Sequence, residues 1–327
     1  PESPGGGLFR LLREEGGGAF PYQGPLFGVH RLDTPTSGLI VLAKDRDAAG
    51  RCQRAFQRRS VDVPGPPLVQ KLYVAVTDGR PRKSMGAVRG DQVRARRGAW
   101  KLTRGAEDPA VTQFVSSRRP LGRRGLFDAE LGGSEEPRPR HVALLRPITG
   151  RTHQLRVALK SLSAPVLGDP LYKSSQAAGA DRMYLHAVGL RLALGTLGLS
   201  APGEDPVLQV LSLPSHGELW DPERASTDGG TAVMVERLIE KFAFVGPAEG
   251  ATVLGDKERG EASTASFLGD SGPIQLDENP TTSLGRKGGG QAGGIGLVAC
   301  LERGTPLQYG TGSAGNVTTT HRERERR

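Results

Sequence analysis

The chain of 327 residues holds two cysteines, Cys52 and Cys300, too few for a disulfide framework or a four-cysteine zinc site. That scarcity favours a reducing intracellular compartment, cytosolic or organellar, over secretion. No apolar run reaches the roughly 18 residues that span a bilayer, so no membrane partner is expected. Aromatic residues make up 5% and hydrophobic residues 36%, too little to bury the whole chain. No basic start followed by an apolar middle marks a signal peptide, and no internal repeat is visible. The first residue is Pro1, so the chain reads as a fragment or a processed product. Neither a glycine-rich nucleotide loop in a useful context nor a cluster of metal-ligating side chains is found. The expectation is therefore no cofactor, no metal and no nucleotide partner.

What is present is positive charge, unevenly spread. There are 44 Lys+Arg against 35 Asp+Glu, a formal net charge of +9. Residues 80–124 alone hold 13 Lys+Arg and 3 Asp+Glu, a local balance of +10. Charge of one sign concentrated this way suits a polyanion such as RNA, although it also serves solubility. The clusters are Arg94, Arg96 and Arg97, then Arg118, Arg119, Arg123 and Arg124.

Composition divides the chain. Residues 1–24 are glycine-rich and read as a poorly ordered lead-in. Residues 25–222 carry the apolar patterning of one catalytic-sized domain. Val233, Val235, Leu238, Ile239 and Phe242 fit a short helix within 223–245. Residues 246–327 hold 17 glycines and end in a mixed-charge run, a composition expected to stay disordered.

Within the domain, Gly38–Ala43 reads as a buried strand, and Asp45 or Asp47 can cap the helix after it. Leu72–Val76 and Val142–Leu145 read as strands, the second stopped by Pro147. Thr152 is a plausible cap for a helix with Leu155, Ala158, Leu159 and Leu162 on one stripe. Leu190–Leu194 and Val207–Leu213 read as late strands. Strands and helices mix without regular alternation, which predicts an α+β fold.

Three segments carry candidate chemistry. In His30-Arg31-Leu32-Asp33-Thr34-Pro35-Thr36-Ser37-Gly38, a carboxylate sits on a turn before a buried strand. A rigid support exposes Asp33 there, though an ordinary turn would use the same residues. Thr149-Gly150-Arg151-Thr152-His153-Gln154-Leu155-Arg156 is polar and opens a helix, which suits contacts to a carboxylate or an anion. His153 alone is more often structural, and Arg156 alone more often a solvated residue. In Lys71-Leu72-Tyr73-Val74-Ala75-Val76, Tyr73 could stack on a planar ligand or simply fill the core.

Taken together, these segments resemble the RluA-type pseudouridine synthases. His30-Arg31-Leu32-Asp33-x-x-Thr36-Ser37-Gly38-Leu39 is similar to that family's first motif, and Lys71-x-Tyr73-x-Ala75 to its second. Arg146-Pro147-x-Thr149-Gly150-Arg151-Thr152-His153-Gln154-Leu155-Arg156-Val157 is similar to its third. Pro165-x-x-Gly168-Asp169-x-Leu171-Tyr172 and Leu185-His186-Ala187 continue the match in order, so the likeness runs from about Val29 to Pro214. The resemblance implies a mixed, largely antiparallel sheet with flanking helices and a central RNA-binding cleft. It implies an isomerase that turns uridine into pseudouridine in structured rRNA or tRNA; separately, a monomer is expected. Asp33 falls on the family's nucleophile and Arg156 on the basic residue paired with it. Tyr73 falls on the tyrosine that packs on the target uracil and can assist proton removal. Arg31 falls on the residue that enters the RNA stack as the base leaves it, and Leu155 on the apolar wall beside the base. Arg118, Arg119, Arg123 and Arg124 are expected to meet phosphates.

The chemistry suits these residues. Pseudouridine formation replaces an N1–C1′ bond with a C5–C1′ bond and needs no donor or oxidant. A carboxylate can attack covalently and leave again. An arginine fork favours the anion and aims it. The target nucleotide must leave its stack first, at a cost of about a few kcal/mol.

Departures from the family pattern are also visible. The upstream strand with a Lys-Pro turn is not found, which would leave the sheet short of an edge. The stretch from Asp62 to Gln70 reads as an insertion that loops out. Val157-Ala158 stands where Val-His is usual. The rival reading is an RNA-binding or chaperone protein of the same fold without turnover, and the trio Asp33, Tyr73 and Arg156 argues against it. A glycosidase would need a second carboxylate that the motifs do not supply.

Overall fold

The apolar run after the Asp33 turn forms the first long strand of a sheet that organises the whole domain. The computed structural model describes residues 24–57, 67–121, 139–172, 180–200 and 207–220, with short pieces at 234–235, 237–239, 295–301 and 308–310. After the short β1 (Phe27–Gly28) come β2 (Ser37–Ala43) and α1 (Arg46–Gln57). Every residue of β2 is buried. Asp45 caps α1, its Oδ1 accepting from the Ala48 amide at 2.7 Å. Then follow β3 (Val69–Asp78), β4 (Met85–Gly90), β5 (Gln92–Arg94), β6 (Trp100–Leu102), β7 (Ala110–Ser116), β8 (Arg140–Pro147) and α2 (Gln154–Ser161). The later strands are β9 (Leu185–Ala193), β10 (Val207–Leu211), β11 (Ile295–Leu301) and β12 (Gln308–Gly310).

Ten strands join one sheet in the order β12-β11-β2-β9-β3-β8-β7-β4, with β1 on β2 and β10 on β9. The β2–β9 pair is parallel and the other pairs are antiparallel. This is the α+β fold expected. Gly38 makes the parallel pairing possible. Its φ is +109°, and a Cβ there would stand 2.4 Å from the Ala187 carbonyl oxygen.

The sheet buries both faces. On one face Leu155, Ala158 and Leu159 of α2, with Leu162 just after it, pack on Phe114, Ala143 and Leu145. The helical stripe read in the sequence is thus the contact surface. On the other face Leu72, Val74 and Leu144 meet Tyr184, Trp220, Val235, Leu238 and Ile239. Within 223–245, residues 234–235 and 237–239 are helical, while Val233 and Phe242 lie outside the described residues. A third cluster joins Ala48, Cys52 and Ala55 of α1 to Leu39 and Val41 of β2.

Four expectations change. The basic stretch 80–124 is not a loop over its described part: it forms β4, β5, β6 and β7. Its arginines obscure the buried residues of these strands, Ala87, Val88, Val111 and Phe114. Thr152 does not cap α2. His153 occupies the cap position with φ 56°, and no side chain closes the first turn. The looped-out insertion ends earlier than Gln70, because β3 begins at Val69; residues 58–66 lie outside the described residues. Finally, the glycine-rich tail is not wholly without structure. β11 pairs along β2 and β12 pairs with β11. The edge expected to lack a partner therefore has one, supplied by the apolar run Ile295–Leu301 that the glycine count had masked.

Candidate active site

Each motif is held in place by a specific polar contact. In the first, His30 Nε2 accepts the Val41 amide at 3.0 Å and the ring stacks on Phe56 at 4.4 Å. This fixes the neutral tautomer with the proton on Nδ1. Burial, and then the charge of Lys71, lower the His30 pKa to about 4. The Thr36 amide closes the turn on the Asp33 carbonyl at 2.8 Å. Ser37 Oγ lies 2.9 Å from His186 Nδ1 and accepts from Arg182 at 2.6 Å, while His186 Nε2 donates to the Ser212 carbonyl at 3.0 Å. The Asp33 turn is thereby pinned on both sides, by His30 before it and by Ser37 after it.

The His30 contact has a pH consequence. The folded protein binds fewer protons than the unfolded chain between pH 6.5 and about 4. Stability is therefore full above 6.5 and declines as pH falls toward 4, by on the order of 3 kcal/mol. Urea midpoints measured from pH 7 to 4 are expected to fall steeply in the native chain and less in His30→Gln.

In the third motif, Gln154 is the anchor. Its Oε1 accepts from Thr149 Oγ1 at 2.8 Å and from the Arg151 amide at 2.9 Å. Its Nε2 donates to the Val111 carbonyl and to Thr112 Oγ1, both at 2.9 Å. The loop before α2 is thus tied to β7, and α2 points Leu155 and Arg156 toward Asp33.

Arg156 is the centre of the site. Its side chain is 3% exposed. Nε and Nη2 donate to the two oxygens of Asp169 at 2.7 and 2.8 Å, a bidentate fork. Its guanidinium carbon lies 4.9 Å from the centre of the Tyr172 ring. Nη1 remains, and it donates to Asp33 Oδ2 at 3.3 Å. Asp33 is 22% exposed while Asp169 is 0% exposed, so the two carboxylates differ: one faces the cleft and one is structural. Burial alone would raise Asp169, but the Arg156 fork and the amides of Tyr172 and Leu171 outweigh it and hold the carboxyl below its usual range. Burial would likewise lower Arg156; its bonds to Asp169 and the charge of Asp33 reverse the sign and keep it charged.

A cleft of about 340 Å³ opens above this pair. Arg31, Asp33, Lys71, Tyr73, Leu155 and Arg156 line it, between α1 and the start of α2. Burial, and then the negative charge of Asp33, push the Tyr73 phenol far up, so it stays protonated. Arg31 is exposed at the rim. Sequence reading thus named five residues that the structure gathers in one cleft. It assigned no role to Asp169 or Tyr172, although both stand in the fourth matched motif. An acid placed to accept the amides two and three residues after it was the available signal. Arg118 and Arg119 are exposed beside Arg140 and Val142, at the end of β8 away from Pro147 and the cleft, whose lining does not include them. Arg123 and Arg124 lie outside the described residues.

Besides the cations of the lining, the β5–β6 hairpin adds positive charge next to it. Gln92 Nε2 donates to the Thr152 carbonyl at 3.5 Å, and the Trp100 amide donates to Tyr172 Oη at 2.8 Å. Arg94 lies over Trp100 at 5.7 Å, and Arg96, Arg97 and Lys101 are exposed.

A single cleft-facing carboxylate on a clamped arginine, with a phenol and a leucine as walls and cations in the lining, suits a planar ligand that carries negative charge. Comparison with known proteins agrees and is narrower. Residues 19–161 match the family model described as RNA pseudouridylate synthase. An RNA pseudouridine synthase of Haemophilus influenzae is 37% identical over 192 residues, covering 59% of this chain and 70% of its own. Ribosomal large subunit pseudouridine synthase C of Rickettsia prowazekii is 32% identical over 182 residues, covering 54% of this chain and 52% of its own. A solved structure, Human RNA Pseudouridylate Synthase Domain Containing 1, aligns with 27% identity and a TM-score of 0.46, over 63% of this chain and 73% of that one. The chain belongs to the RNA pseudouridine synthase family, whose reaction is the isomerisation of uridine in RNA.

Proposed function

We propose that this chain isomerises uridine in structured RNA with Asp33 as the nucleophile. Ribosomal RNA is the first substrate to consider, given the name of the Rickettsia relative, and transfer RNA the second. The observation that carries the assignment is the division of Arg156 between two acids. Asp169 and Tyr172 immobilise the guanidinium, which leaves one N–H to aim Asp33 into the cleft. A guanidinium held this firmly costs little to reorganise as charge shifts on its partner.

The roles follow from position. The flipped uracil lies between Tyr73 and Leu155, and Arg31 at the rim fills the stack it leaves. An Asp33 oxygen attacks the nucleotide, the N1–C1′ bond breaks, and C1′ rejoins at C5. Asp33 is then released unchanged, the C5 hydrogen departs as a proton, and N1 gains one. Tyr73 is a protonated phenol, so it serves as a wall and a hydroxyl relay rather than as a resting phenolate base. The β5–β6 hairpin holds phosphates beside the cleft.

The reading is tested by incubating the chain with RNA carrying a label at uridine C5. Label release to solvent together with pseudouridine in the digest supports it, and RNA binding with no release defeats it. Neutralising Arg94, Arg96, Arg97 and Lys101 is expected to lower the slope of log affinity against log salt by about 0.7–0.9 per lost phosphate contact. Titration by fluorescence anisotropy checks this, with Arg118 and Arg119 changed in parallel as the pair remote from the cleft.

A further inference from the structure

The chemistry above occupies the Asp33 end of the cleft and leaves Lys71 unused. Lys71 stands two residues before Tyr73 on β3, and both side chains line the cleft. The step between them along one strand face is roughly 6.6 Å. The Lys71 ammonium lies 5.7 Å from the centre of the Phe56 ring, the same ring that carries His30. Among the described residues no carboxylate makes an ion pair with it. Asp33, the acid of this cleft, is engaged by Arg156 instead. Burial lowers the amine to about 8, so it remains mostly charged near neutral pH. Among the described residues Lys71 is thus a desolvated cation in a ligand cleft with no counter-ion. A cation in such a place is stabilised by an anion that arrives with the ligand.

We propose that Lys71 forms a phosphate subsite, its ammonium binding a non-bridging oxygen of a phosphate next to the flipped nucleotide. The proposal rests on the RNA-isomerase reading. Phosphate is favoured over the base because Tyr73 and Leu155 already wall the base beside Asp33, whereas Lys71 lies one step further along β3. The phosphates of a nucleotide likewise lie away from its glycosidic bond. Lysine suits the task as a point charge, while the planar fork of arginine serves the carboxylate at 156.

The test compares the native chain, Lys71→Met and Lys71→Arg on one probe, an RNA stem-loop with a uridine-rich loop. Methionine keeps the stem contact with Phe56 and removes the desolvated charge, so this variant is expected to fold, and its melting temperature is expected not to fall. Lys71→Met should weaken binding by about tenfold and lower the salt slope by about 0.7–0.9. Lys71→Arg should keep the native slope. The proposal is overturned if Lys71→Met binds with unchanged affinity and slope, which would make Lys71 a packing residue. It is also overturned if affinity holds while the single-turnover rate at saturation falls, which would place Lys71 on the base. Absence of isomerisation by the native chain under these conditions counts against the activity reading alone, because the binding slopes are read without turnover.

Discussion

Exchanging Asp33 for asparagine is expected to lower pseudouridine formation by roughly 10⁴-fold or more, the scale seen when a covalent nucleophile is removed. Binding of the same RNA should change only a few-fold, because Asp33 is one short side chain among many cleft residues. The asparagine keeps the shape of the turn, whose closing bond uses the Asp33 backbone. It can also accept from Arg156 Nη1. What it loses is the negative oxygen that attacks. Label release from uridine C5 and anisotropy on one RNA separate the two effects. Retained turnover in Asp33→Asn would remove the nucleophile assignment.

The second large effect concerns Arg156 and Asp169. Among the described residues, Arg156→Ala leaves a fully buried carboxylate with the amides of Leu171 and Tyr172 as its remaining hydrogen-bond partners. Breaking a buried pair on one side costs about 3–5 kcal/mol. Activity should fall with stability, since Asp33 also loses its contact. Arg156→Lys should retain part of the activity: one ammonium can approach either acid but cannot fork Asp169 and reach Asp33 together. A double replacement, Arg156→Met with Asp169→Leu, separates structure from chemistry. It removes both buried charges, so most of the stability should return while the activity does not. Urea denaturation and label release on the set check this. Recovery of activity in the double variant would show that Arg156 has no direct part in the reaction.

These expectations show what could be read from residues in order and what could not. Asp33, Tyr73, Leu155 and Arg156 were named because contiguous motifs resemble those of a known family; taken singly, each read as an ordinary turn, core or surface residue. Arg31 was named for the same reason. Asp169 was quoted within a motif but given no task, because its value comes from facing Arg156 across a turn. The basic hairpin was missed as structure because its strands are only three residues long and its turn is built from arginines. Arg96 and Arg97 are exposed in the turn of that hairpin, whose Gln92 and Trp100 bond Thr152 and Tyr172, while Arg118 and Arg119 stand beside Arg140 and Val142. Charge density in the sequence indicated a polyanion but not which arginines share a face with Asp33. β11 was missed because pairing with β2 is a long-range event across more than two hundred residues, and its local composition is dominated by glycine.

The central claim is that Asp33, aimed by Arg156, converts uridine to pseudouridine in RNA. Mapping pseudouridine at single-nucleotide resolution in cells lacking the gene, and in the same cells given back either the native chain or Asp33→Asn, tests it most directly. At least one uridine should lose its modification on deletion, regain it with the native chain and fail to regain it with Asp33→Asn. An unchanged map on deletion, or full restoration by Asp33→Asn, would contradict it.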